Sequence, residues 1–85
     1  MPMKLLKFTA TWCGPCSTLN ATLEKMALPE GIEMESIDLD NASPAMISMF
    51  GVRSVPTLIL VDENNKEIKR RLGTGTQQQL MEWLS

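Results

Sequence analysis

The chain has 85 residues, 44% of them hydrophobic and 21% charged, with a formal net charge of −2. That length suits a single domain over residues 1–85 with a modest core, and the interspersed charges form no basic patch for nucleic acid or a membrane surface. No apolar run approaches transmembrane length, and Met1-Pro2-Met3-Lys4-Leu5-Leu6-Lys7 lacks the apolar core and small-residue cleavage site of a signal peptide, so a cytoplasmic location is expected.

In chain order, the first predicted element is a strand from Met3 to Phe8 or Thr9, apolar on both faces. The loop Thr9-Ala10-Thr11 leads to Trp12-Cys13-Gly14-Pro15-Cys16, which holds both cysteines of the chain. Beyond them Leu19, Leu23 and Met26 recur at helical spacing. They predict a helix from about Cys13 to Met26 or Ala27, stopped by Pro29 and Gly31. The cysteines therefore sit where a strand hands over to a helix, with Cys13 in the first turn. Unpaired N–H groups at a helix N-terminus favour thiolate over thiol, and thiolate is the attacking species in disulfide exchange. Gly14 lets another chain approach closely, and Pro15 suits a first helical turn. Cys16 is within bonding reach of Cys13, so the pair can close as a disulfide or open as a dithiol.

Two other readings compete with redox chemistry. A structural crosslink here would close only a tiny loop and constrain the unfolded chain little. Zinc wants four ligands, and with no histidine and no third cysteine a metal site would have to be shared between two chains. The redox-active pair is the favoured reading, with no metal.

The second strand runs from Ile32 to Asp38 or Leu39. Its alternation is imperfect: Ile32 and Met34 keep one parity, Ile37 and Leu39 the other, as a bulge or a wholly buried end would produce. Asp40-Asn41-Ala42-Ser43 is a loop, in which Ser43 suits an N-cap and Pro44 the first helical position. Met46, Ile47, Met49 and Phe50 then make a short core-facing helix ending at Gly51, which is favoured over a binding groove. After Val52-Arg53-Ser54-Val55-Pro56-Thr57, the run Leu58-Ile59-Leu60-Val61 reads as a central strand covered on both faces. Asp62-Glu63-Asn64-Asn65 is a turn. Glu67 to Leu72 reads as an edge strand with Ile68 and Leu72 at its buried side and Lys69 and Arg71 outside, so Lys69-Arg70-Arg71 is a solvated edge rather than a phosphate site. Gly73-Thr74-Gly75 is a flexible corner. Thr76 and Gln79 form a capping box, and a last helix carries Leu80, Met81 and Leu84. The order β-α-β-α-β-β-α predicts parallel crossovers at the first two helices and a hairpin after Val61. The sum is a four-stranded mixed β-sheet with helices on both faces.

The stretch Phe8-Thr9-Ala10-Thr11-Trp12-Cys13-Gly14-Pro15-Cys16 resembles the active-site segment of the thioredoxins. Phe50-Gly51-Val52-Arg53-Ser54-Val55-Pro56-Thr57-Leu58 is similar to that family's cis-proline segment, and Gly73 matches its glycine before the last helix. The three segments agree in order and spacing. The family's extra N-terminal strand and helix have no counterpart here, so the resemblance implies a minimal, glutaredoxin-sized α/β thioredoxin-like fold, as in small phage and archaeal thioredoxins. It implies a protein-disulfide reductase in which Cys13 attacks and Cys16 resolves. Pro56 would be cis and bring the Val55 backbone beside the disulfide, where a substrate chain pairs with it as a short added strand. Trp12, Gly14, Pro15, Val55, Pro56, Gly73 and Thr74 would form an apolar docking surface, a role Trp12 can combine with partial burial.

The partners implied are disulfide-containing target proteins and a flavin- and NADPH-dependent thioredoxin reductase, with the protein itself a monomer. The chain has no phosphate loop or nucleotide fingerprint, so the Cys13–Cys16 dithiol is expected to be its only redox centre, with no bound cofactor. Two rivals stand beside this reading. A glutathione-dependent, glutaredoxin-like reductase is permitted by the small size and Arg53 but opposed by Trp12-Cys13-Gly14-Pro15-Cys16. A non-catalytic binding subunit would use the docking surface and not the cysteines. One departure bears on chemistry: Lys7 stands six residues before Cys13, where the family carries a buried acid, and Ser36 is about where it often has a lysine. Lys7 is thus a pKa-tuning candidate, as an ammonium stabilising thiolate or an amine accepting the Cys16 proton, unless its stem merely snorkels. Asp38 and Asp40 are next in line as proton acceptors.

Overall fold

In the computed structural model, which describes residues 2–85, seven elements follow the expected order; Met1 of the N-terminal stretch lies outside the described residues. They are β1 (Met3–Thr9), α1 (Gly14–Glu24), β2 (Ile32–Asp38), α2 (Pro44–Phe50), β3 (Thr57–Val61), β4 (Glu67–Leu72) and α3 (Gln77–Leu84). The strands lie side by side as β2-β1-β3-β4. β3 is buried along its whole length, as its unbroken apolar run requires. On one face of the sheet Leu19 and Leu23 of α1 and Leu80 and Leu84 of α3 pack on Leu5, Leu58 and Leu60. On the other, Phe50 of α2 packs with Leu6, Phe8, Ile59 and Val61, its ring 5.9 Å from that of Phe8.

Local chemistry sets the element ends. Ser43 caps α2 by accepting the Met46 N–H, and Gly51 ends that helix in the left-handed region at φ 61°. Thr76 and Gln79 make both halves of the capping box at α3. In the β3–β4 hairpin the Asp62 carboxylate accepts N–H groups from Asn64 and Lys66. α1 ends at Glu24, short of the expected Met26 or Ala27, in a turn through Lys25.

Two expectations change, and one alternative left open is decided. β1 and β2 are parallel, but β3 runs antiparallel to β1, so the connection through α2 is not a parallel crossover. The helix lengths give the reason. α1 has 11 residues, about 16 Å of helix, and with the turn after it can carry the chain back along the sheet. α2 has 7 residues, about 10 Å, well short of the ~17 Å of a five-residue strand plus its approaches. The chain therefore re-enters the sheet at the end it left.

β2 needs no bulge, because its register with β1 is continuous from Ile32 to Asp38. As an edge strand it is covered at its two ends on opposite faces, Ile32 under α1 and α3 and Ile37 on the α2 side. β4 has the opposite parity to that expected. Ile68 and Leu72 are 50% and 62% exposed, while Lys69 and Arg71 turn to the face that α3 covers. The Lys69 ammonium lies 5.5 Å from the Trp83 ring centroid and donates to the Trp83 carbonyl, so long cationic stems fill that face and α2 is too short to cover the other.

Candidate active site

The site begins with the antiparallel return of β3. β1 ends, α1 begins and β3 starts at one end of the sheet, with Phe8 opposite Thr57. Residues just after β1 and just before β3 therefore meet. Cys13 and Cys16 are joined as a disulfide with Cα atoms 5.2 Å apart. Cys13 is the N-cap of α1, held by its N–H bond to the Ala10 carbonyl (3.2 Å), and Pro15 occupies the first turn. The Cys16 N–H points at Cys13 Sγ from 3.1 Å. A free first-turn N–H aimed at sulfur stabilises negative charge there.

Cys16 is 1% exposed and Cys13 8%, so Cys13 is the more accessible but not the open thiol that its place at the helix start implies. Ala10 and Val55 cover it. Its sulfur lies 3.7 Å from the Val55 carbonyl oxygen. The Val55–Pro56 peptide is cis. The Thr57 hydroxyl donates to the Ser54 carbonyl at 2.7 Å and pins this approach to β3. On its far side the Gly73 N–H donates to the Pro56 carbonyl at 2.9 Å, with Gly73 at φ 81°, a turn that favours glycine. The structure thus links three segments in one line: Trp12, Gly14 and Pro15 beside Cys13, then Val55 and Pro56, then Gly73 and Thr74. Trp12 is 69% exposed, not part of the core, and its indole N–H donates to Asp40 Oδ1 at 3.4 Å.

Lys7 is buried in β1, 7% exposed, on the face that α1 covers, and it makes no ion pair or hydrogen bond among the described residues. Burial pushes its pKa down from 10.5, and Glu24 on α1 partly offsets this. Ser36 pairs with it across β1–β2. The Asp38 carboxylate accepts from the Asp40 N–H and the Asn41 amide, and so organises the loop after β2. Several contributors escaped the sequence reading. Thr57 reads there only as the last residue before the central strand, and Asp40 only as a proton acceptor, though an acid in the loop facing a tryptophan is a visible partner. The Ala10 carbonyl has no sequence signal at all.

A disulfide closed at a helix N-terminus and facing the Val55–Pro56 backbone has the arrangement of a thiol–disulfide exchange site. The chain belongs to the thioredoxin family: the family model Thioredoxin matches residues 2–85. It is similar to the thioredoxin of Chlamydia muridarum, with 41% identity over 83 residues, covering 95% of this chain and 78% of that protein. To the thioredoxin of Mycolicibacterium smegmatis the identity is 38% over 84 residues, covering 95% and 74%. A solved mutant thioredoxin from Halobacterium salinarum superposes with a TM-score of 0.82 at 32% identity, covering 96% of this chain and 71% of that one. The chain is a protein thiol–disulfide oxidoreductase of the thioredoxin-like fold.

Proposed function

We propose that the reduced protein reduces disulfides in other proteins, with Cys13 as the attacking thiolate and Cys16 as the resolving thiol. The observation that carries this division is the pairing of the Cys16 N–H with Cys13 Sγ at 3.1 Å while Cys16 itself is fully buried. Negative charge is stabilised on the outer sulfur, where a target can reach it. Cys13 Sγ bonds to one target sulfur, and the other leaves as thiolate. Cys16 then attacks Cys13 Sγ, closing the internal disulfide and releasing the second target thiolate, and the leaving thiolates take up protons. Two electrons pass to the target, and the Cys13–Cys16 pair is oxidised. The target strand pairs with the Val55 backbone, between the Trp12, Gly14 and Pro15 side and the Pro56, Gly73 and Thr74 side. A flavin- and NADPH-dependent thioredoxin reductase restores the dithiol. A cytoplasmic setting fits a chain whose only two cysteines are the exchanging pair.

The test is alkylation and trapping. Iodoacetamide should modify Cys13 of the reduced protein first. Cys16→Ser should accumulate mixed disulfides with a protein substrate, and Cys13→Ser should not. Alkylation that starts at Cys16, or trapping by Cys13→Ser, reverses the assignment.

A further inference from the structure

Gly75 has no positive φ to explain it, yet a side chain does not fit there. A Cβ on Gly75 would lie 2.6 Å from Arg71 Nη2, 3.3 Å from Arg71 Cζ and 3.3 Å from Gln79 Oε1. The space a side chain would fill is taken by the Arg71 guanidinium. Arg71 faces the α3 side of the sheet opposite Leu58, two residues before Gly73, and is half-buried. It makes no ion pair among the described residues, and its Nε–H is buried without a partner. A buried donor left unpaired is unfavourable, so the position of this head is not explained by its own hydrogen bonding. Its head reaches back across the corner that follows it in sequence. That corner is tied at one end by the Gly73 N–H to the Pro56 carbonyl and at the other by the Thr76–Gln79 capping box. Its middle, Thr74 and Gly75, has Arg71 as backing.

The geometry points to Arg71 as a positioning residue for substrate docking: its guanidinium, seated against Gly75, holds the Gly73–Gly75 corner in register with Pro56. Arg71 touches neither sulfur, so it acts through the loop. The inference rests on the docking role proposed above for Gly73 and Thr74. A protein target needs that wall, and a small disulfide that reaches Cys13 alone does not. Loss of the wall therefore raises the half-saturating concentration of a protein substrate and leaves the chemical step alone.

The test uses Arg71→Met, which keeps the stem and deletes the head, and Gly75→Ala. The methyl of the latter meets the free end of a flexible side chain, so it displaces the head without breaking the fold. With insulin as substrate and dithiothreitol as electron source, each variant should raise the half-saturating insulin concentration about five-fold at unchanged maximal rate. Rates with hydroxyethyl disulfide should match those of the unaltered protein. The amides of Thr74 and Gly75 should exchange hydrogen faster in both variants. Once Arg71 is Met, adding Gly75→Ala should do nothing more, because the two changes remove one contact. Unchanged half-saturation and amide exchange in Arg71→Met, equal losses on insulin and hydroxyethyl disulfide, or additive effects in the double variant would each overturn the inference. If the unaltered protein reduces neither substrate, the failure belongs to the proposed function, and the amide exchange of Thr74 and Gly75 decides the role of Arg71 alone.

Discussion

Lys7 carries a cation on a stem that the sheet buries. The only buried side-chain nitrogen or oxygen atoms without partners among the described residues are Asn20 Oδ1 and Arg71 Nε. The Lys7 ammonium is not among them, so it keeps contact with solvent, which favours the charged-neighbour reading over the neutral-amine one. Desolvation nonetheless lowers its folded pKa below 10.5. Between the lowered folded value and the unfolded value the unfolded chain binds more protons, so stability rises with pH across that window. Below the window the penalty is present in full. Lys7→Met keeps the stem and removes the charge. It should raise the melting temperature at pH 7 and flatten the alkaline rise, read from melts at a series of pH values. With the cation gone from the α1 face, the Cys13 thiol should titrate about half a unit higher. A Cys13 titration that does not move makes Lys7 a packing residue and directs the search for a proton acceptor to Asp38 and Asp40.

The elements owe their placement to two kinds of information, one local and one not. Caps are local: Ser43 with Pro44, Gly51, and Thr76 with Gln79 are all legible in sequence, because each satisfies backbone groups within a few residues of itself. The capping box has a measurable share in stability. Thr76→Ala should cost about 1 kcal/mol, lowering the melting temperature by roughly 4–8 °C for a chain of this size, while exchange with a small disulfide is unaffected. The cysteine pair at the start of α1 was equally legible, since the spacing and the helical pattern both lie in one stretch. The direction of β3 was not. It follows from the length of α2 measured against the sheet, which is visible only once both are laid side by side. The parity of β4 was also hidden, because Lys69 and Arg71 look like surface residues until α3 and Trp83 are placed over their stems. The cover over Cys13 comes from Val55, 42 residues away, which no local pattern encodes.

At the scale of the whole molecule, the short α2 and the antiparallel β3 gather Cys13, Cys16, Val55, Pro56 and Gly73 at one end of the sheet, and charged residues hold the other. Lys4 and Glu35 form a 3.5 Å ion pair there, near the Asp62 and Glu63 turn. The inverted parity of β4 has a consequence for colloidal behaviour. β4 is a free edge, and along it Ile68 and Leu72, two large exposed apolar side chains, stand on either side of Arg70 in sequence, with Ile68 at a register shift. Arg70 is held in place by Glu67 and the Phe50 carbonyl. In this setting it acts as a gatekeeper: two molecules that pair edge to edge must desolvate it. Arg70→Ile joins the three positions into one apolar row on a strand with open hydrogen-bonding groups. Light scattering should show concentration-dependent association in that variant and none in Arg70→Lys, which would assign the protection of this edge to a single cation.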